Sequence, residues 1–307
     1  MASGDGGSTE QTRGERFELP AVLHLESSAA HAATLAARFA RAKPFPHLVL
    51  RELLAIPPDA ARHFPDASWR HWIPLTDGYQ TGKATCSELH VIPQPWRALI
   101  EELSAARFLR FLETVTGIPK LLPDPHLEGG GLHLSGSGGH LRPHTDFHLY
   151  ERLGLYRRVN VLVYLNPDWQ PEHGGRLSLH EEDDLERSTL IDPTWGTCVI
   201  FATTDSSVHG ITPVASAATR RSIALYYYTS EDTAEYGGDR STHWRAHGDL
   251  GGLERLRLLA YHACMRLSRA FSMLGHLVNP HFGLRALREG LAERARSKKS
   301  PVEPPRP

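Results

Sequence analysis

Two different hydrophobic periods run along this chain, and they divide it into an N-terminal helical part, a central strand-rich part and a C-terminal helical part. Ser28–Ala42 (SAAHAATLAARFARA) is an Ala-rich run headed by Ser27 or Ser28 and ended before Pro44, which predicts a helix. Phe45–Leu54 (FPHLVLRELL) predicts a short apolar strand entering a turn, followed by a helix that opens at Pro57-Pro58. Pro95–Leu103 and Ala105–Thr116 predict two more helices, stopped by Gly117 and Pro119.

From Leu132 the pattern changes to runs of four to eight β-branched or aromatic residues separated by Gly, Pro, Asp and Asn. These are Arg158–Leu165, Gly175–His180, Gly196–Thr203 and Arg220–Thr229. Such spacing predicts a β-sandwich or barrel rather than βαβ units. After Glu235 helical spacing returns: Leu256, Leu259, Ala260, Ala263, Leu267, Ala270 and Leu274 form one stripe within Leu253–Leu274. Arg255, Arg257, Arg266 and Arg269 flank it, so the expectation is a helix packed on the β core with a charged solvent face. Met1–Glu15 and Ser297–Pro307 hold almost nothing that could be buried and are expected to be disordered tails. No internal repeat is evident.

The 307 residues suffice for one large domain or two small ones. Lys and Arg total 34 against 35 Asp and Glu, a net charge of −1 that gives no global drive toward nucleic acid or an anionic membrane. No apolar run approaches the ~20 residues that span a bilayer. The N-terminal residues lack the apolar core of a secretory signal, and Cys86, Cys198 and Cys264 are too few and too scattered for a disulfide framework or a structural zinc site. A cytoplasmic protein is the expectation.

The unusual count is 19 histidines. His144-Thr145-Asp146 places two ligand types one residue apart, on one face of a strand, and His209 follows in the same strand-rich region. Two imidazoles and a carboxylate leave three coordination positions open, the facial arrangement associated with non-haem Fe(II). A second His-x-Asp, His247-Gly248-Asp249, sits in a polar stretch without strand partners and is read as surface loop. Further on, Arg220 and Arg221 open a strong strand and must face opposite ways; the inward one would need an anion. In Arg157–Trp169, Val159, Val161 and Val163 share one strand face, while Asn160, Leu162 and Tyr164 share the other.

Together, His144-Thr145-Asp146, Tyr164-Leu165-Asn166 with Trp169, Gly174-Gly175, His209-Gly210 and Thr219-Arg220-x-Ser222 resemble the 2-oxoglutarate/Fe(II)-dependent dioxygenases, in particular the prolyl 4-hydroxylase-like branch. The likeness covers roughly residues 45–229. It implies a mainly β (α+β) fold, a double-stranded β-helix (jelly roll) core with flanking N-terminal helices and a C-terminal helical extension. The implied layout is a dioxygenase domain over 16–235 with its jelly-roll core at about 120–230, a helical extension over 236–296, and tails at 1–15 and 297–307.

The resemblance further implies Fe(II) on His144, Asp146 and His209. It implies 2-oxoglutarate paired with Arg220 and hydrogen-bonded by Tyr164, with Arg221 as the alternative if the register slips by one. O2 is the second cosubstrate and ascorbate a supporting reductant. Hydroxylation of an unactivated C–H follows, on a prolyl or other protein side chain, with a small biosynthetic intermediate as the alternative and a non-oxidising cupin-like metal module as a further one. The sequence departs from those hydroxylases before the first metal histidine, where Leu132-His133-Leu134-Ser135 and Arg142 stand in place of tyrosines. Ser135–Gly139 and Gly78–Thr85 could form loops that close over a substrate.

Overall fold

A computed structural model describes residues 23–24, 31–51, 53–77, 79–215, 218–231, 243–244 and 252–278. The Gly- and Pro-bounded runs form strands of one antiparallel sheet that curls on itself. They are β1 (His47–Leu50), β2 (Ile73–Leu75), β3 (Gln80–Cys86), β4 (Leu122–Pro123), β5 (Gly131–Thr145), β6 (Leu149–Tyr150) and β7 (Leu155–Tyr164). They continue as β8 (Leu177–His180), β9 (Ser188–Ile191), β10 (Cys198–Ala202), β11 (His209–Ile211), β12 (Arg220–Thr229) and β13 (His243–Trp244). The path runs β1-β10-β7-β12-β5-β11-β8-β9, with β3 also on β5. The long β5 makes the turn between the layers: its first half pairs with β12 and its second half with β11. This is the jelly-roll core with flanking helices that the sequence predicts.

The β7 alternation explains the layering. Val159, Val161 and Val163 face outward with Leu132, Ile223 and Leu225 onto the N-terminal helices. Those helices are α1 (Ala32–Arg41), α2 (Trp96–Ser104) and α3 (Ala106–Thr116), which contribute Phe39, Trp96, Leu99, Phe108 and Leu112. Each buried valine is worth about 1.5–3 kcal/mol, so this face fixes the register of the strand. The opposite face, with Leu177, Leu179, Val199, Phe201 and Tyr164, fills the barrel interior.

Three features differ from the sequence reading. Ser135–Gly139 and residues 80–85 are not free loops: the latter lie in β3, and the former is a bulge within β5, where the β3 register jumps between Thr81 and Lys83. The backbones touch there, because a Cβ on Gly82 would lie 3.1 Å from Gly139 Cα. The helix predicted from Pro57 is a short 3-10 turn, Pro58–His63. The C-terminal helix forms as α4 (Gly252–Val278), but its apolar stripe does not pack on the barrel: Leu256, Leu259, Leu267 and Leu274 are exposed and Leu258 is the buried leucine of the stretch. The outer face of the β7–β12–β5 layer is already covered by α1–α3, so that face is not open to this helix. His243–Trp244, in the stretch assigned to the extension, pair with β5 at Thr145 and His144. His247-Gly248-Asp249 and both tails lie outside the described residues.

Candidate active site

Strand pairing brings the three metal-ligand candidates together. His144, near the end of β5, is the direct cross-strand partner of His209, the first residue of β11, and Asp146 follows β5 by one residue. The ring centroids of the two histidines are 4.4 Å apart. Asp146 Oδ1 lies 3.6 Å from His144 Nε2, and Asp146 Oδ2 lies 3.5 Å from His209 Nε2. One ligand atom from each of the three falls within 4.8 Å of the others.

The rings are oriented by their own backbone. His144 Nδ1 donates to the Arg142 carbonyl at 2.9 Å, and His209 Nδ1 donates to the Ser207 carbonyl at 3.0 Å. A carbonyl can only accept, so each neutral ring keeps its proton on Nδ1 and turns the Nε2 lone pair inward. Burial, and then His144, pull the His209 pKa down to about 4, which keeps the ring neutral at physiological pH. Burial pushes the Asp146 carboxyl up, but Arg157, then His209 and His144, hold it well below the usual carboxylate range. Two imidazoles with Nε2 turned inward and one ionised carboxylate, buried and on one side of a common point, are a donor set that fits Fe(II) and leaves three positions for other ligands.

Asp146 has partners that periodicity does not reveal. Its Oδ2 accepts from Asn160 Nδ2 at 2.7 Å and pairs with Arg157 at 3.0 Å, while Arg157 Nε donates to Asn160 Oδ1 at 2.9 Å. The Arg157 guanidinium stacks on the Tyr226 ring, 3.3 Å from its centroid. Strict alternation from Val159 would send Arg157 to the helix side. The β7–β12 register shifts between Tyr227 and Tyr228, making Arg157 the partner of Tyr228, and this bulge turns the guanidinium into the cavity. A run of two arginines ahead of a valine row was the available signal, and it does not locate a bulge.

The triad opens into a cavity of about 210 Å³. Arg220 lines it and is 2% exposed. Its Nε donates to the Gly175 carbonyl at 2.8 Å and its Nη1 to Ser222 Oγ at 3.3 Å. Gly175 has φ +62, and a Cβ there would press within 3.1 Å of Arg220 Cδ, so the paired glycines make the seat for this side chain. Arg221 takes the opposite face: its backbone N–H bonds Asn166 Oδ1 and its guanidinium lies over Phe64, among the helices. Tyr164 does not line the cavity but backs Arg220, whose guanidinium carbon is 4.9 Å from the ring centroid. The Tyr164 hydroxyl is buried without a hydrogen bond of sound geometry, and burial raises its pKa, so it remains a donor beside Arg220. His133 faces the cavity too, with its Nε2 on the Gly129 carbonyl at 3.1 Å.

Residues 130–228 match the family model described as the 2OG-Fe(II) oxygenase superfamily. No curated relative matches the chain. Among solved structures, a prolyl-4-hydroxylase from Pseudomonas putida is similar at 19% identity and a TM-score of 0.44, over 64% of this chain and 98% of that one. A Trichoplax adhaerens prolyl hydroxylase, solved with a hypoxia inducible factor oxygen degradation domain peptide fragment, gives 17% and 0.49 over 66% and 91%. HygX from Streptomyces hygroscopicus, solved with nickel, 2-oxoglutarate and hygromycin B, gives 14% and 0.42 over 65% and 92%. No helix among the described residues is long and apolar enough to cross a membrane. The match and the His-Asp-His cluster within it place residues 130–228 in the 2OG-Fe(II) oxygenase superfamily, and the chain carries the domain of a 2-oxoglutarate-dependent dioxygenase that uses Fe(II), 2-oxoglutarate and O2.

Proposed function

We propose that this dioxygenase hydroxylates an unactivated C–H bond of a protein side chain, prolyl in the first instance, with His144, Asp146 and His209 holding Fe(II) and with Arg220, backed by the Tyr164 ring, receiving the distal carboxylate of 2-oxoglutarate. One observation carries the reading: an ionised carboxylate between two imidazoles shares a single cavity with a buried arginine. Once bound, the metal and cosubstrate supply the oxidising chemistry, in which O2 is consumed, 2-oxoglutarate becomes succinate and CO2, and one oxygen atom enters the substrate. The chain's own part is positional. His144 and His209 present lone pairs fixed by their carbonyl bonds, and Arg157 with Asn160 holds the Asp146 carboxylate in place. Arg220 offers a guanidinium already oriented by Gly175, and Leu162, Leu177, Phe201 and Ile211 keep the cavity apolar.

The size of the cavity supports a protein substrate. At about 210 Å³ it falls below the ~300–1,000 Å³ typical of pockets that enclose a whole small molecule. A five-carbon dicarboxylic acid would occupy much of it, leaving room for a side chain inserted from outside. The test is profiling of candidate peptides and small-molecule pools with Fe(II), 2-oxoglutarate and ascorbate, scored by succinate and by a mass gain of one oxygen atom. The expected result is oxygen gained by a peptide. Oxygen gained only by a small molecule would reverse the substrate class, and absence of succinate from the metal-loaded protein would leave a non-oxidising, cupin-like metal site.

A further inference from the structure

The end of the cavity away from the triad holds a second cation that the motifs do not include. Lys83 of β3 and Arg220 of β12 are both cross-strand partners of Ser135, one on each side of β5. Adjacent strands lie about 4.8 Å apart, so the two Cα atoms are roughly 10 Å apart in one register row, close enough for two long side chains to converge. Both line the cavity. The next row on that face is Thr85, His133, Ser222 and Tyr164.

This end offers donors and no acid. Among the residues lining the cavity, Asp146 is the one carboxylate, and Arg157 already pairs with it at 3.0 Å. Arg220 and Lys83 are therefore left without a counter-charge in the cavity wall. No acceptor among the described residues lies within hydrogen-bond or salt-bridge reach of the Lys83 ammonium. Two unbalanced cations on one wall destabilise each other unless an anion sits between them.

We propose that Lys83 is a second cationic anchor for the distal carboxylate of 2-oxoglutarate, so that this carboxylate is held between a guanidinium from β12 and an ammonium from β3. The inference rests on the reading of Arg220 as the first anchor. Arg220 supplies a fixed, planar fork, and Lys83 supplies a mobile point charge that reaches the remaining lone pairs. A carboxylate on the primary substrate is the other possible source of anion. The shared row with Arg220, and the small volume left once a dicarboxylic acid is bound, favour the cosubstrate.

The arrangement also makes cosubstrate binding depend on pH. Burial, then the nearby Arg220, pull the Lys83 pKa down to about 8; Asp146 raises it, Arg157 lowers it and Asp77 raises it. His133, which faces Lys83 from β5, is held neutral by burial and then by Lys83 and Arg220, so it does not titrate in this range. As pH rises through about 8, the free protein loses the Lys83 charge and affinity for a dicarboxylate falls.

The experiment is calorimetric titration of the anaerobic, Fe(II)-loaded full chain with 2-oxoglutarate and with 2-oxopentanoate, the same skeleton without the distal carboxylate. It compares the wild type with Lys83→Met, Lys83→Arg and Arg220→Met between about pH 7 and pH 9.5. Lys83→Met is expected to raise the 2-oxoglutarate Kd about tenfold at neutral pH, to flatten its rise above about pH 8, and to leave the 2-oxopentanoate Kd unchanged. Lys83→Arg should keep binding tight to the alkaline end. If Lys83→Met binds 2-oxoglutarate as the wild type does while Arg220→Met does not, Lys83 is no anchor and this inference fails alone. If Arg220→Met also binds normally, the underlying anchor assignment fails with it.

Discussion

The two ends of the cavity differ in how far their polar groups are already satisfied. At the triad end, both imidazole Nδ1 atoms donate to backbone carbonyls, and the Asp146 carboxylate meets Asn160 and Arg157. At the other end Arg220 and Lys83 share a wall without an acid, and the Tyr164 hydroxyl finds no sound hydrogen bond. The triad end is thus arranged in advance of any ligand, whereas the cationic end reaches charge balance only when an anion arrives. Local backbone and one internal ion pair suffice to orient metal ligands; on the proposed reading, selecting a diacid requires leaving positive charge unbalanced, at a cost in the stability of the free protein.

Removing the carboxylate should break the first end most severely. Asp146→Ala deletes one of three ligands and leaves the buried Arg157 without its carboxylate counter-charge. Metal-dependent succinate production is expected to fall to background, checked by succinate release and by metal content after dialysis. Undiminished succinate would overturn the assignment of the triad. Arg220→Ala attacks the other end and should spare the metal. We expect the 2-oxoglutarate Kd to rise on the order of 100-fold while Fe(II) content stays at the wild-type level. A thermal measurement reports the same difference: 2-oxoglutarate at 100 times its Kd stabilises the wild type by roughly 2.7 kcal/mol, and at the same concentration that increment should fall to roughly 0.4 kcal/mol in Arg220→Ala.

Much of this contrast was legible in the sequence, and for definite reasons. His144 and Asp146 lie two positions apart at a strand end, and the Val159–Val163 alternation announces which face of β7 is buried against helices, so these positions follow from a two-residue period. That period also limits the reading. The Arg157 side chain enters the cavity only because β7 bulges, and Lys83 meets Arg220 only through a strand pairing interrupted by the glycine bulge of β5. Neither irregularity has a pattern of its own in the sequence. The choice of Arg220 over Arg221 needed the Gly175 carbonyl and the Phe64 ring, contacts 45 residues away in one case and on a different layer in the other. The α4 stripe carried correct helical spacing but no information on what would cover it.

Arg157→Leu sharpens the comparison with a smaller functional effect, because it withdraws support from a ligand without deleting the ligand. Metal affinity is expected to fall about 10- to 100-fold, measured by competition with a chelator, with the 2-oxoglutarate Kd near wild type once metal is saturating. Loss of the guanidinium releases the Asp146 carboxyl upward, so metal binding should fail at a higher pH on acidification than in the wild type. A purely structural role for Arg157 would lower thermal stability without moving that pH. Arg157→Lys, which keeps the charge, should restore part of the acid tolerance.

The smallest effect tests the strand register itself. Arg221 is the neighbour of Arg220 in sequence, yet its backbone N–H is held by Asn166 and its guanidinium lies toward Phe64 on the helix side. Arg221→Ala removes a half-buried cation whose Nε has no partner and whose pKa burial has lowered, so the loss of packing against Phe64 is offset by relief of that desolvation. The 2-oxoglutarate Kd should stay within about twofold of wild type, and stability should change by about 1 kcal/mol or less. The paired measurement on Arg220→Ala and Arg221→Ala reads the direction of a single β-strand in solution, since a slip of one residue would exchange the two results completely.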